Sequence, residues 1–200
     1  MIGFLVVSFL IISIILYFVF ATMLMNIYEK LGYRHAWFSF IPILNSYMMF
    51  KTIYDSLHVD KIIKEGRTKS YRKSRKTVSI IMTFVVFILS SSLNAQTQTI
   101  NSTTLSLSMG ANRDTLFSVS SLLITLVITI LFFYALERLF TKTGTISTEK
   151  EAVKKGIIKG LIDTVTLGLA SLYFYPQYSG KKYKPVVKDS ELLEEKTTQS

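Results

Sequence analysis

From Ile2 to Met25 the chain runs without a charged side chain. As a helix that run measures about 36 Å, enough to cross a hydrocarbon core of about 30 Å with some tilt. A secretory signal would show a basic start, an apolar stretch of about 7–15 residues and a small-residue cleavage site. Here the first cation is Lys30, so the run reads as a true span. A mean hydropathy of +0.39 over 200 residues points the same way, because a single soluble domain of this length carries a larger polar share.

Two further uncharged runs, Thr77 to Leu93 and Phe117 to Leu136, are long enough or nearly long enough to span. The segments between the spans differ sharply in charge. Residues 51–76 hold Lys51, Lys61, Lys64, Arg67, Lys69, Arg72, Lys73, Arg75 and Lys76 against Asp55, Asp60 and Glu65. Residues 94–116 are rich in Ser, Thr, Asn and Gln and carry only Arg113 and Asp114. Cations are retained on the cytoplasmic side, which places loop 51–76 and the charged C-terminal region in the cytoplasm and loop 94–116 outside. The formal charge of +10 is therefore first a topological signal. No nucleic-acid-binding signature accompanies it, and no nucleic-acid partner is expected.

Two apolar stretches are flawed as spans. The first, residues 36–57, contains Pro42, which removes a backbone donor and clashes with the Phe38 carbonyl, and Asn45, which is placed to cap a new helix. Beyond it Tyr47, Phe50, Tyr54 and Leu57 recur at helical spacing, with Ser46, Lys51, Asp55 and Ser56 read as the polar face of an interfacial helix. Trp37 and Tyr47 are candidate interfacial anchors. The second stretch, residues 156–176, carries Lys159 and Asp163 at a spacing that allows them to pair, and Gly156 and Gly160 at a spacing that allows close helix contact. Cations flank both stretches, so each is expected to dip into the membrane and return, or to lie at the interface. The fold class is thus all-α: a polytopic helical membrane protein with three transmembrane helices, about 2–25, 77–93 and 117–136, in one membrane domain, 1–176. A disordered cytoplasmic tail, 177–200, follows. A crossing at 36–57 would instead give four spans with both ends inside, and a crossing at 156–176 would carry the basic tail outside.

Glu29, Lys30, Gly32, Trp37, Ile41, Pro42, Asn45 and Tyr47 form a pattern that resembles a family of small bacterial multi-pass membrane proteins of unknown function. In that family a Lys-x-Gly turn after the first span is followed by Trp-x-x-x-Ile-Pro-x-x-Asn-x-Tyr. A weaker echo is the Gly168-Leu169 to Phe174-Tyr175-Pro176 run near the C-terminus, with Tyr183 beyond it. His35-Ala36 stands where the family usually has Pro-Gly. The resemblance implies a membrane fold and transfers no activity.

Chemistry is sparse. With no cysteine there are no thiol nucleophiles or disulfides. The two histidines, His35 and His58, lack the carboxylate cluster that would make a metal site. No cofactor and no enzymatic activity are expected. Lys61, Lys64, Arg67, Lys69, Arg72, Lys73, Arg75 and Lys76 are candidate contacts for anionic lipid headgroups. The expected role is a non-enzymatic one exercised through the lipid bilayer, a membrane-protein partner or a second copy of the chain, of accessory, protective or immunity type. The alternative is a holin-like or channel-like pore former.

Overall fold

The computed structural model describes the backbone of residues 2–65, 68–100, 110–141 and 148–186, and the side chains of 6–65, 68–89, 122–141 and 148–186. Arg67, residues 101–109 of the polar loop and the tail beyond Val186 lie outside the described residues. The elements are α1 (Ile2–Lys30), a 3-10 turn (Ala36–Phe40), α2 (Pro42–Leu57), α3 (Val59–Glu65), α4 (Lys69–Ile100), α5 (Gly110–Leu139), β1 (Phe140–Thr141), α6 (Glu149–Val165), α7 (Ser171–Ser179) and β2 (Lys184–Pro185). Among the described residues two helical segments are long and apolar enough to cross a membrane, Val6–Lys30 and Leu122–Leu139. The run from Thr77 is helical too, but it begins earlier than its composition suggests: Lys69 to Lys76 are the first turns of α4 rather than loop.

Gly32 ends α1. Its φ of 78° is the left-handed conformation that a glycine adopts without a Cβ penalty. Tyr33 N then donates to the Tyr28 carbonyl at 3.0 Å and Gly32 N to the Glu29 carbonyl at 2.9 Å, a Schellman closure of the helix.

After this turn the chain runs back along α1. The Tyr17 hydroxyl donates to the Phe40 carbonyl at 2.7 Å, which puts Phe40 about 20 Å along α1 from Lys30. The break at Ile41–Pro42 follows from the proline, but its mechanism differs from the expected one. Ile41 is the N-cap and Pro42 is the first helical residue, where its missing N–H costs nothing. Asn45 therefore lies inside α2 and does not cap it; its Oδ1 accepts from the Tyr28 hydroxyl at 3.1 Å. α2 then returns antiparallel to α4, with Asp55 reaching Arg75 near the start of α4. The faces of α2 are also not as expected: Lys51, Asp55 and Ser56 are buried and Leu57 is exposed.

A second excursion is made by α6 and α7. Gly156 lies against Tyr134 and Gly160 against Ile130, so α6 runs antiparallel to α5. At its far end Gly168 N donates to the Asp163 carbonyl at 2.7 Å and Leu167 N to the Thr164 carbonyl at 3.1 Å. Leu167 takes the left-handed position at φ 53°, which costs a non-glycine residue about 1–2 kcal/mol. α7 then returns, packing Phe174 on Phe133 and Tyr175 on both Phe133 and Phe20. Val186 N donates to the Leu139 carbonyl at 2.7 Å, and β2 pairs antiparallel with β1. The chain thus remains in the fold past Pro176, where the sequence reading had placed the start of the tail.

The core collects at the end of the bundle where α1 and α5 finish and α4 begins. Ile27, Tyr28, Leu31, Met48, Phe132, Phe133, Leu136, Leu139 and Tyr178 are buried there. The opposite half of α1 has Phe9, Ile11, Ile12 and Ile15 exposed.

Candidate functional site

Three segments converge on a buried charge. Asp55 and Arg75 both have wholly buried side chains and meet at 2.9 Å. The Tyr71 hydroxyl donates to Asp55 at 2.6 Å and the Tyr33 hydroxyl at 3.0 Å. Lys51, one turn before Asp55, holds its Nζ 4.2 Å from the centre of the Tyr33 ring. An ion pair taken out of water is retained only when further hydrogen bonds satisfy its lone pairs, and the two phenols supply them here. The network ties the turn after α1 to α2 and α4.

In front of this network opens a cleft of about 610 Å³. Arg34, His35, Lys51, Arg72 and Lys76 line it together with Phe38, Leu44, Tyr47, Met48 and Ile80, and among the described residues no carboxylate lines it. Asp55, the nearest acid in α2, is committed to Arg75. Cations around a cleft with low-dielectric walls sum to a field that attracts anions. Farther from the basic end, a second depression of about 260 Å³ lies between α2 and α4, lined by Ile43, Leu44, Tyr47, Ile80, Thr83, Phe84 and Phe87. Leu44, Tyr47 and Ile80 are common to both, so the basic cleft passes into an apolar groove.

The residues nominated from sequence divide among different roles. Lys61, Lys64, Lys69, Lys73 and Lys76 are exposed, and Lys61 stands 4.0 Å from Glu65. Arg72 and Lys76 face the cleft. Arg75 is a correction, because its side chain is bound to Asp55 in the interior and is not offered to a headgroup. Trp37 is exposed and Tyr47 lines the cleft. Ile41 is exposed, and Glu29 lies at the surface on the last turn of α1. Lys30 donates to the carbonyls of Tyr178, Gly180 and Tyr183, so the residue beside the Gly32 turn holds the C-terminal segment. Sequence reasoning missed Arg34, His35 and Lys51 as site residues. The available signal was a set of cations interrupting apolar stretches, which at membrane depth marks a functional candidate.

The second excursion carries its own polar groups, paired differently from the sequence expectation. Lys159 binds Glu137 at 2.5 Å and the Tyr178 hydroxyl at 2.7 Å, and Tyr178 donates to Glu137 at 2.7 Å. Burial, and then the Glu137 carboxylate, push the Tyr178 phenol far above its ordinary range, so it keeps its proton. Arg138 reaches Asp60 at 2.9 Å. Asp163 does not pair with Lys159 but accepts from Ser171 N and Oγ, each at 2.7 Å, capping α7 across the turn. These groups close the fold and line neither cleft nor groove. On α4, Arg75, Ser79 and Thr83 recur every fourth residue and are buried. Among the described residues no group of His, Asp and Glu is arranged to hold a metal. No family model, no curated protein and no solved structure matches this chain.

Proposed function

We propose that the chain is a non-enzymatic multi-pass membrane protein that acts through lipid and protein contacts, as an accessory, protective or immunity-type protein. In this reading α1, α4 and α5 are the three spans, the N-terminus is outside, and the two excursions enter from the cytoplasmic face and return to it. The resemblance of the Trp37 to Tyr47 motif to small bacterial multi-pass membrane proteins agrees with it. The observation that carries it is the segregation of side chains along the helices. Lys30, Lys69, Arg72, Lys73, Lys76 and Arg138 collect where α1 and α5 end and α4 begins, while Phe9 at 71 %, Phe84 at 63 % and Leu122 at 57 % exposure are apolar and face outward away from that end. Water would oppose such a surface; a bilayer with a cytoplasmic basic rim accepts it.

Threading tests the reading directly, because the chain has no native cysteine. Single cysteines at Gly3, Glu29, Ser70, Thr103 and Ser190 are probed on intact cells with an impermeant thiol reagent. Labelling is expected at Gly3 and Thr103 only. Labelling at Glu29 with protection at Gly3 replaces three spans by four.

The inward stack of Ser79 and Thr83 below Arg75 favours one second reading, a pore whose polar seam opens on oligomerisation. The Thr83 hydroxyl is, however, spent on the Ser79 carbonyl at 2.7 Å. Overproduction is therefore expected to leave the membrane potential intact. A collapse of potential relieved by Ser79→Ala with Thr83→Val establishes the pore instead.

A further inference from the structure

We propose that the chain is built from two copies of one unit, a long helix followed by a hairpin, and that the cation ending each long helix clasps the hairpin of the other unit. The first unit is α1 with the 3-10 turn, α2 and α3; the second is α5 with α6, α7 and β2. α4 belongs to neither. Repeats of like orientation are one way in which membrane folds are assembled, and the crossed clasps go beyond the contact role proposed above by coupling the two hairpins.

The two long helices end alike. Ile27, Tyr28 and Leu31 are buried around Glu29-Lys30, and Ala135, Leu136 and Leu139 around Glu137-Arg138. Glu29 stays at the surface where Glu137 is buried, so the match is not complete. A cation in the last turn is favoured in any helix; what repeats here is the path of the chain and the place each cation reaches.

Both hairpins turn at the same distance from their cations. Phe40, at the end of the 3-10 turn, is bonded to Tyr17, 13 positions before Lys30. In the second unit Gly156 lies at Tyr134 and Gly160 at Ile130. The same antiparallel register brings Val165, the last residue of α6, level with Thr125, 13 positions before Arg138. Each turn is therefore about 20 Å from the foot of its own long helix.

The outgoing leg of each hairpin lies on its own long helix, but the return legs are exchanged. Phe50 and Ile53 of α2 cluster with Ala135 of α5, and beyond them Asp60 meets Arg138 at 2.9 Å. Tyr175 of α7 meets Phe20 of α1 with ring centres 6.5 Å apart, and beyond it the carbonyls of Tyr178, Gly180 and Tyr183 receive Lys30. A return leg resting on its own helix could open alone. Here the opening of either hairpin breaks a contact with the other unit. The clasps differ in kind: Lys30 is met by neutral carbonyls, and Arg138 by a carboxylate whose side chain is 72 % exposed. Salt screens the second far more than the first.

Hydrogen exchange of the full-length protein in a neutral detergent, read by mass spectrometry, tests the crossing. Lys30→Gln is expected to speed amide exchange in 171–186 by on the order of tenfold. It is expected to leave 36–57, the hairpin that follows Lys30 directly in the chain, unchanged. Asp60→Asn, at an exposed position, is expected to speed exchange in 59–65 by a smaller factor and to leave 171–186 unchanged, and raised salt reproduces that pattern. The salt and Asp60→Asn arms supply the answer should Lys30→Gln unfold the protein. Nitroxide labels on Ile41→Cys and Leu167→Cys in bilayer discs read the equivalence of the units, and equal depths are expected. Exchange in 36–57 rising as much as in 171–186 on Lys30→Gln, no change in 59–65 on Asp60→Asn, or label depths more than one helical turn apart overturns the proposal. Failure of the membrane reading registers separately, as both labels lying in water, and the exchange results then decide the clasps alone.

Discussion

Replacing Asp55 by alanine is expected to cost about 3–5 kcal/mol of stability, because it takes from the buried Arg75 the carboxylate that it meets at 2.9 Å. Both side chains are wholly buried, so solvent does not relieve the loss. The hydroxyls of Tyr33 and Tyr71 lose their acceptor in the same step. Arg75→Met alone is expected to be nearly as damaging, since it removes the cation that balances the buried carboxylate. The two together recover a large part of the loss, because an apolar pair needs no compensation in the interior. Thermal unfolding of the purified protein in detergent reads all three. Equal midpoints for wild type and Asp55→Ala would mean that the pair is hydrated in solution and does not anchor α2 to α4.

The second large effect concerns α5 and α6. In an exposed helix, glycine to alanine stabilises by about 1 kcal/mol. At Gly160 the sign reverses: an added Cβ would stand 2.6 Å from Ile130 Cγ1 and 2.8 Å from Ile130 Cα. At Gly156 it would meet Tyr134 Cα and N, both at 2.8 Å. Backbone atoms cannot rotate aside, so the helices must separate, at about 1–3 kcal/mol per site for overpacking. Separation also loosens the Lys159 contact with Glu137, which bridges the same two helices. Gly156→Ala and Gly160→Ala are expected to lower the melting midpoint, and Ile157→Ala, at an exposed position on the same helix, to change it little. A rise in midpoint for either glycine variant would show that the two helices do not touch at that depth.

These two regions also show what could be read from sequence and what could not. The helical class and the break at Pro42 were legible, because each depends on a local rule: apolar run length and proline geometry. The burial of Lys51 and Asp55 was not. Amphipathic reading puts every charge on the solvent face, and it fails when the compensating charge, here Arg75, is 20 positions away. Gly156 and Gly160 were visible as a motif, but Lys159 between them made the face look polar. Only the fold supplies Glu137 and Tyr178 to absorb that cation. The cleft was illegible for a similar reason: its basic lining is assembled from three segments, and in sequence Arg34 and Lys51 belong to different features from Arg72 and Lys76.

The three carbonyls that receive Lys30 bear on the order in which the bundle can form. They belong to residues 148, 150 and 153 positions later in the chain. During synthesis α1 is complete long before those acceptors exist, and contacts of such long range are the slowest to close. Until Tyr183 has left the ribosome, the ammonium at the foot of the first helix lacks the last of these three acceptors. A segment made late in synthesis is thus the one that locks the first helix.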